Sequence, residues 1–196
     1  MSDNADLERR HFLTAATTIA GGVGIVGAAI PFVASFNPSA RARALGAPVE
    51  VDISKVEPGA LIKVEWRGRA VMILNRTEAM LGTLGDMMSV LADPGSEVSL
   101  QPDFAANEHR SLRREILVVE GVCTHLGCAP IPRFEVAPAD LGADWVGGFY
   151  CPCHGSRFDL SGRVFSGVPA PTNLTVPPYS FLSDGTLLIG SEAGAV

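Results

Sequence analysis

All four cysteines of the chain and two of its four histidines fall in two short boxes, Cys123-Thr124-His125-Leu126-Gly127-Cys128 and Cys151-Pro152-Cys153-His154-Gly155-Ser156. Six soft ligands at this spacing exceed what one tetrahedral zinc can hold. Each box repeats one logic: a cysteine followed two or three residues later by a histidine (Cys123/His125 and Cys151/His154), plus one further cysteine. One cysteine and one histidine from each box could bind a two-iron cluster, with two thiolates on one iron and two imidazoles on the other.

The length of 196 residues leaves room for one ordinary domain and an appendage. Hydrophobic residues make up 47% and charged residues 18%, a low charge content for a wholly soluble chain. The net charge of −6 argues against a nucleic-acid partner and suits a basic protein partner. A disulfide among the cysteines would need an oxidising compartment such as a periplasm.

Between Arg10 and Arg41 there is no Asp, Glu, Lys or Arg. The apolar part, Phe12–Phe36, would span about 37 Å as a helix, against a hydrocarbon core of about 30 Å. Its glycines and alanines (Ala20-Gly21-Gly22-Val23-Gly24, Gly27-Ala28-Ala29) make it mildly hydrophobic and allow close contact with other membrane helices. Arg9-Arg10-His11-Phe12-Leu13 resembles a twin-arginine export signal, a route that carries folded proteins and leaves the N-terminus in the cytoplasm. The alternative is a cleaved signal peptide, with Ala42-Arg43-Ala44 as the small-x-small site. The apolar stretch exceeds the usual signal-peptide core of about 7–15 residues, which favours a retained anchor.

Asn37 to Pro48 reads as a linker of small residues with two prolines and no apolar period. The remainder reads as short strands: Val49–Ile53, Leu61–Trp66, Ala70–Leu74, Ile116–Val119, and a hairpin of Tyr179–Leu182 and Thr186–Ile189 about Ser183-Asp184-Gly185. Many short strands with turns between them predict a mainly β chain with an antiparallel sandwich. Thr77–Leu91 breaks the pattern: Met80, Leu81, Leu84, Met87, Met88 and Leu91 fall at helical spacing, so a helix with one apolar face is expected, its methionines filling core and Asp93-Pro94-Gly95 ending it. His11, beside the twin arginines, and His109, in the polar loop Asn107-Glu108-His109-Arg110, are expected to be solvated.

The two boxes resemble those of the Rieske iron–sulfur subunits of cytochrome bc complexes, the quinol–cytochrome c reductases. Glu115–Val122 leads into the first box as the family's strand does, and Gly167-Val168-Pro169-Ala170-Pro171 resembles its proline-rich covering loop. The anchor and the insertion before the first box also fit, so the likeness covers nearly the whole chain; small Rieske ferredoxins lack the insertion. It implies a cytoplasmic N-terminus (1–11), a transmembrane anchor (12–36), a flexible hinge linker (37–48) and a Rieske domain (49–196) with a helix-loop insertion and a small cluster-binding subdomain over about 121–172. It also implies a single-pass protein of the bacterial inner membrane with a periplasmic head. The partners it implies are cytochrome b and a c-type cytochrome in a membrane complex of dimeric type, with quinol as substrate.

For the site, the resemblance implies one [2Fe–2S] cluster, with Cys123 and Cys151 on the inner iron, His125 and His154 on the outer iron, and a disulfide between Cys128 and Cys153. Two neutral ligands make the cluster less negative and easier to reduce, with potentials of about −150 to +300 mV against about −400 mV for all-cysteine plant-type clusters. His154 would contact quinol and accept its proton. Gly127 and Gly155 allow tight turns beside the ligands. Ser156 can donate to the cluster sulfurs, Leu126 shields the exposed tip, and Pro169 stiffens the covering loop. One departure stands out. Many quinol-oxidising members carry a tyrosine two residues after the box-two serine, where this chain has Phe158, so a lower potential is expected. The rival readings are a Rieske small subunit or carrier of another exported oxidoreductase, of arsenite-oxidase type, and a redox-silent structural zinc module.

Overall fold

The computed structural model describes residues 2–191, and side chains within that range from residue 5; the extreme ends of the expected segments 1–11 and 49–196 lie outside the described residues. The chain divides into two compact units, Met1–Ala44 and Leu45–Val196.

The first unit is dominated by helix α1 (Ser2–Ser35), 34 residues long. It starts well before Phe12 because residues 2–11 contain no proline or glycine to stop it, so Arg9 and Arg10 lie on the helix rather than on a separate segment. Its large apolar side chains are open along its length, as at Phe12 (71%), Val23 (68%) and Phe32 (72%). The hydroxyls of Thr14, Thr17, Thr18 and Ser35 donate back to carbonyls three or four residues earlier, which satisfies them without water. Pro31 sits inside the helix and leaves the carbonyl of Gly27 without its usual donor.

The expected linker 37–48 is not wholly irregular. Ala40–Leu45 forms a short helix, α2, with no buried residue. Ser39 starts it, its hydroxyl oxygen accepting from the Ala42 N–H at 3.1 Å, and the alanines and arginines that follow favour helix.

The second unit holds three antiparallel sheets. The first joins β1 (Val49–Asp52), β9 (Thr186–Ile189) and β8 (Tyr179–Ser183) in that order. The second runs β2 (Leu61–Trp66), β3 (Arg69–Asn75) and β4 (Ile116–Glu120). These sheets face one core: Val71 to Leu74 and all of β4 are buried, as are Val51, Tyr179, Leu187 and Ile189. Where they meet, Trp66 covers Gly190 so closely that a Cβ there would lie 2.5 Å from its Nε1. The third sheet, β5 (Ile131–Arg133), β6 (Gly148–Tyr150) and β7 (Arg157–Phe158), falls inside the expected cluster-binding subdomain. Gly148 lets β6 and β7 close, because a Cβ there would collide with the Phe158 carbonyl.

The insertion departs from the expected long helix. Only Glu78–Gly82 (α3) is helical, capped by Thr77, and turns follow as far as Val90. Leu81, Leu84 and Leu91 are buried as expected, but Met87 is half-buried and Met88 is 43% exposed, so they are not core filler. Glycines at 82 and 85 and the isolated bridge from Leu91 to Phe165 override the helical period. His109 is half-buried rather than solvated, and its Nδ1 has no hydrogen-bond partner. Burial, with Arg76 close by, holds its pKa below the ordinary histidine value.

Candidate metal centre

The two boxes fold into the same turn. In the first, the Cys123 N–H donates to the Cys128 carbonyl at 2.7 Å and the Gly127 N–H donates to the Cys123 carbonyl at 2.9 Å. In the second, the Cys151 N–H donates to the Ser156 carbonyl at 2.8 Å and the Gly155 N–H donates to the Cys151 carbonyl at 3.0 Å. Both turns need a residue at positive φ, supplied by Gly127 (82°) and Gly155 (80°).

The turns face each other and are joined by a disulfide between Cys128 and Cys153, Cα to Cα 6.6 Å. Cys123 and Cys151 remain free thiols, each 2% exposed. They sit at the inner end of the site, close enough to hydrogen-bond one another. At the outer end the rings of His125 and His154 meet edge to face, with centroids 4.9 Å apart and planes at 85°. His154 is exposed and His125 half-buried.

This donor set fits the cluster. A two-iron centre needs a sulfur pair at one end and a nitrogen pair at the other, and the free thiols and paired imidazoles are arranged in that order. A single ion fits less well. Among the described residues, the donors gathered within 4.8 Å of one another are the sulfurs of Cys128, Cys151 and Cys153, and two of those three are used in the disulfide. No three of Cys123, Cys151, His125 and His154 converge in that way, as one tetrahedral zinc requires.

Burial favours the neutral thiol at Cys123, so a metal bound there must displace its proton. Burial pushes the Cys123 thiol up, and Cys151 adds to that; the His125 N–H and the Ser156 hydroxyl donate to the Cys123 sulfur and pull it down. Ser156 is wholly buried, and its Oγ also accepts from the Ala170 N–H at 3.0 Å. Thr124 donates through Oγ1 to the Thr172 carbonyl at 2.7 Å. Each box is thereby tied to the loop Phe165–Thr172, which carries Pro169. Pro169, with His154, Gly155 and Arg157, lines a recess of about 350 Å³ beside the outer imidazole. Leu126 is 72% exposed at the tip. Phe158 is wholly buried in the same apolar cluster as Cys123 and Cys151, opposite Phe149 on the neighbouring strand.

Reasoning from sequence missed the charged groups behind the second box. Asp159 and Arg163 form an ion pair at 2.8 Å with both side chains buried, and Arg163 also reaches the Leu84 carbonyl. Arg76 and Arg110 are buried as well, and desolvation lowers both to about 10. Their partners are carbonyls, hydroxyls and an amide from distant segments, such as Ser161, Ser111 and Gln101, so no local pattern announces them.

Comparison with known proteins agrees with this geometry. Residues 48–179 match the "Rieske [2Fe-2S] domain" family, and residues 1–39 match "Ubiquitinol-cytochrome C reductase Fe-S subunit TAT signal". The ubiquinol-cytochrome c reductase iron-sulfur subunit of Allochromatium vinosum is 58% identical over 95% of this chain and 90% of its own length. That of Blastochloris viridis is 42% identical over 97% of each. A solved chain of a hyperthermophilic respiratory Complex III covers 89% of this chain and 98% of its own, at 25% identity and a TM-score of 0.47. With a family match across most of its length and relatives this close end to end, the chain belongs to the iron–sulfur subunits of ubiquinol–cytochrome c reductase, the Rieske [2Fe–2S] family.

Proposed function

We infer that this chain is the electron-transfer subunit of a membrane quinol–cytochrome c reductase, taking electrons from quinol at a site shared with cytochrome b and delivering them to a c-type cytochrome. The single observation that carries this is the order of donors through the head: buried thiols inside, paired imidazoles outside, and a disulfide clamping the two loops. When bound, the [2Fe–2S] cluster supplies a one-electron acceptor of high potential. Every other part belongs to the chain. Cys123 and Cys151 would hold one iron of the cluster and His125 and His154 the other. His154, exposed at the end of the site, would offer a ring nitrogen to a quinol hydroxyl and take up its proton. Leu126 stands exposed at the tip and Pro169 lines the recess beside that imidazole.

The family membership and the apolar helix make the chain a membrane-anchored subunit of a cytochrome bc complex. We read its topology as N-terminus in the cytoplasm and head in the periplasm of a bacterial inner membrane, within a dimeric complex that contributes to proton translocation. Residues 37–48 are read as a hinge, consistent with α2 having no buried residue to hold it.

Low-temperature EPR of the reduced full-length protein, purified from its own membranes, tests the reading. A Rieske-type signal co-purifying with b- and c-type haem is expected. A colourless, EPR-silent protein containing zinc overturns it, as does co-purification with an oxidoreductase that lacks b-type haem.

A further inference from the structure

The insertion between β3 and β4 is lashed to the chain on either side of the proline loop. The Ala92 N–H donates to the Val164 carbonyl at 2.9 Å, and the Ser166 N–H donates to the Val90 carbonyl at 2.8 Å. Downstream of the loop, the Val176 N–H reaches the Leu100 carbonyl at 3.3 Å.

At the centre of these contacts is Asn173, 1% exposed. Its Nδ2 donates to the Asp93 carbonyl and to Ser96 Oγ, both at 2.9 Å. Its Oδ1 accepts from the Val164 N–H at 2.8 Å, and its own N–H donates to Ser99 Oγ at 3.0 Å. The Ser99 hydroxyl in turn donates to the Asp93 carboxylate at 2.6 Å, which also accepts the N–H groups of Glu97, Val98 and Ser99. A side-chain amide can donate twice and accept at once, which is what this position demands. Asn173 therefore pins both ends of the proline loop, Val164 before it and its own backbone after it, to one knot in the insertion.

The loop so pinned carries the Ala170 N–H, which donates to Ser156 Oγ. That contact uses an acceptor site on the wholly buried hydroxyl and leaves its proton for a sulfur of the centre.

We propose that Asn173, seated on Asp93, Ser96 and Ser99, is a positioning residue for the iron–sulfur centre: by fixing the proline loop it keeps Ala170 against Ser156, and so holds the Ser156 hydroxyl in place to donate to a sulfur of the centre. The proposal rests on the reading of Cys123 as an iron ligand. A donor to a ligand sulfur stabilises the more negative, reduced state, so loosening the loop lowers the midpoint potential.

The test is a double-mutant cycle in the full-length protein in its membranes, comparing Asn173→Ala, Ser156→Ala and the pair by potentiometric titration of the EPR signal. Each single variant lowers the potential. The pair lies no lower than Ser156→Ala alone, because the influence of Asn173 passes through that hydroxyl. Hydrogen exchange at the Ala170 amide is faster in Asn173→Ala. If the two shifts add, or if Asn173→Ala loses thermal stability at an unchanged potential, Asn173 is a fold-stabilising residue only and the proposal fails. Should Asn173→Ala not assemble a cluster, Ser99→Ala, which removes the acceptor of the Asn173 N–H, is read through the same cycle with the same criteria. Retention of the EPR signal in Cys123→Ala would instead overturn the ligand reading, whatever the cycle gives.

Discussion

The two ligand loops share a backbone and differ in where the chemistry hangs on it. In each, the first cysteine is held by the carbonyl five residues on and the glycine four residues on. Against that common frame, the histidine is third in one loop (His125) and fourth in the other (His154). The disulfide cysteine is sixth in the first loop (Cys128) and third in the second (Cys153). The sixth place of the second loop is therefore free for Ser156, which is fully buried against the Cys123 sulfur, whereas Cys128 at the matching place is half-buried and serves as the clamp. The turn sets where the centre can sit; the permutation of side chains lets both turns share the crosslink while the second keeps its sixth place for a hydroxyl.

That comparison breaks most visibly at the ligands. Cys123→Ala and His154→Ala should abolish the cluster, measured as complete loss of the reduced EPR signal, whereas Cys128→Ala should retain some of it. A Cys128 variant without signal beside a Cys123 variant that keeps it would mean that the roles in the first loop are reversed. The next effect in size is the clamp. Cys128 and Cys153 are 25 residues apart, and opening a loop of that size costs about 3.5 kcal/mol on the chain-entropy model. Cys153→Ala should lower the temperature at which the cluster is lost, with a matching loss in Cys128→Ala, as calorimetry would show.

The equivalence of the turns is sharpened by their glycines. A Cβ at Gly127 meets nothing, and one at Gly155 meets only the Tyr150 hydroxyl at 4.0 Å, so alanine at either place should cost only the backbone penalty of positive φ, about 1–2 kcal/mol. Equal destabilisation in the two variants is expected; a much larger loss in one would show that the turns are not energetically equivalent. The smallest effects are on potential. Ser156→Ala should lower it by about 40 mV, the one-electron equivalent of about 1 kcal/mol for a lost hydrogen bond. Phe158→Tyr should raise it by a similar amount if its hydroxyl reaches a cluster sulfur. An intact cluster at unchanged potential in Phe158→Tyr would mean that the ring serves only the core that buries it.

The sequence made the boxes, the anchor and most strands of the two larger sheets readable because each is a local pattern: fixed ligand spacing, an uncharged run, alternation ended by turn residues. The third sheet was not readable. Its strands are two or three residues long and are defined by pairing, with Gly148 chosen for clearance from the Phe158 carbonyl rather than for any local preference. The insertion misled for a related reason: the helical spacing of its leucines was real, yet backbone hydrogen bonds from Ala92 to Val164 and from Ser166 to Val90 hold its second half in turns. Asn173 carried no signal, since its partner Asp93 lies 80 residues away in sequence. Helix α2 was missed because six residues are too few to establish a period.

That short helix has a mechanical consequence. Six helical residues cover about 9 Å, and the same six drawn out straight cover about 20 Å. Since none of them is buried, unwinding breaks no packing and costs only the few hydrogen bonds of a single short coil. If residues 37–48 act as the hinge we propose, unwinding this helix would add about 11 Å of reach.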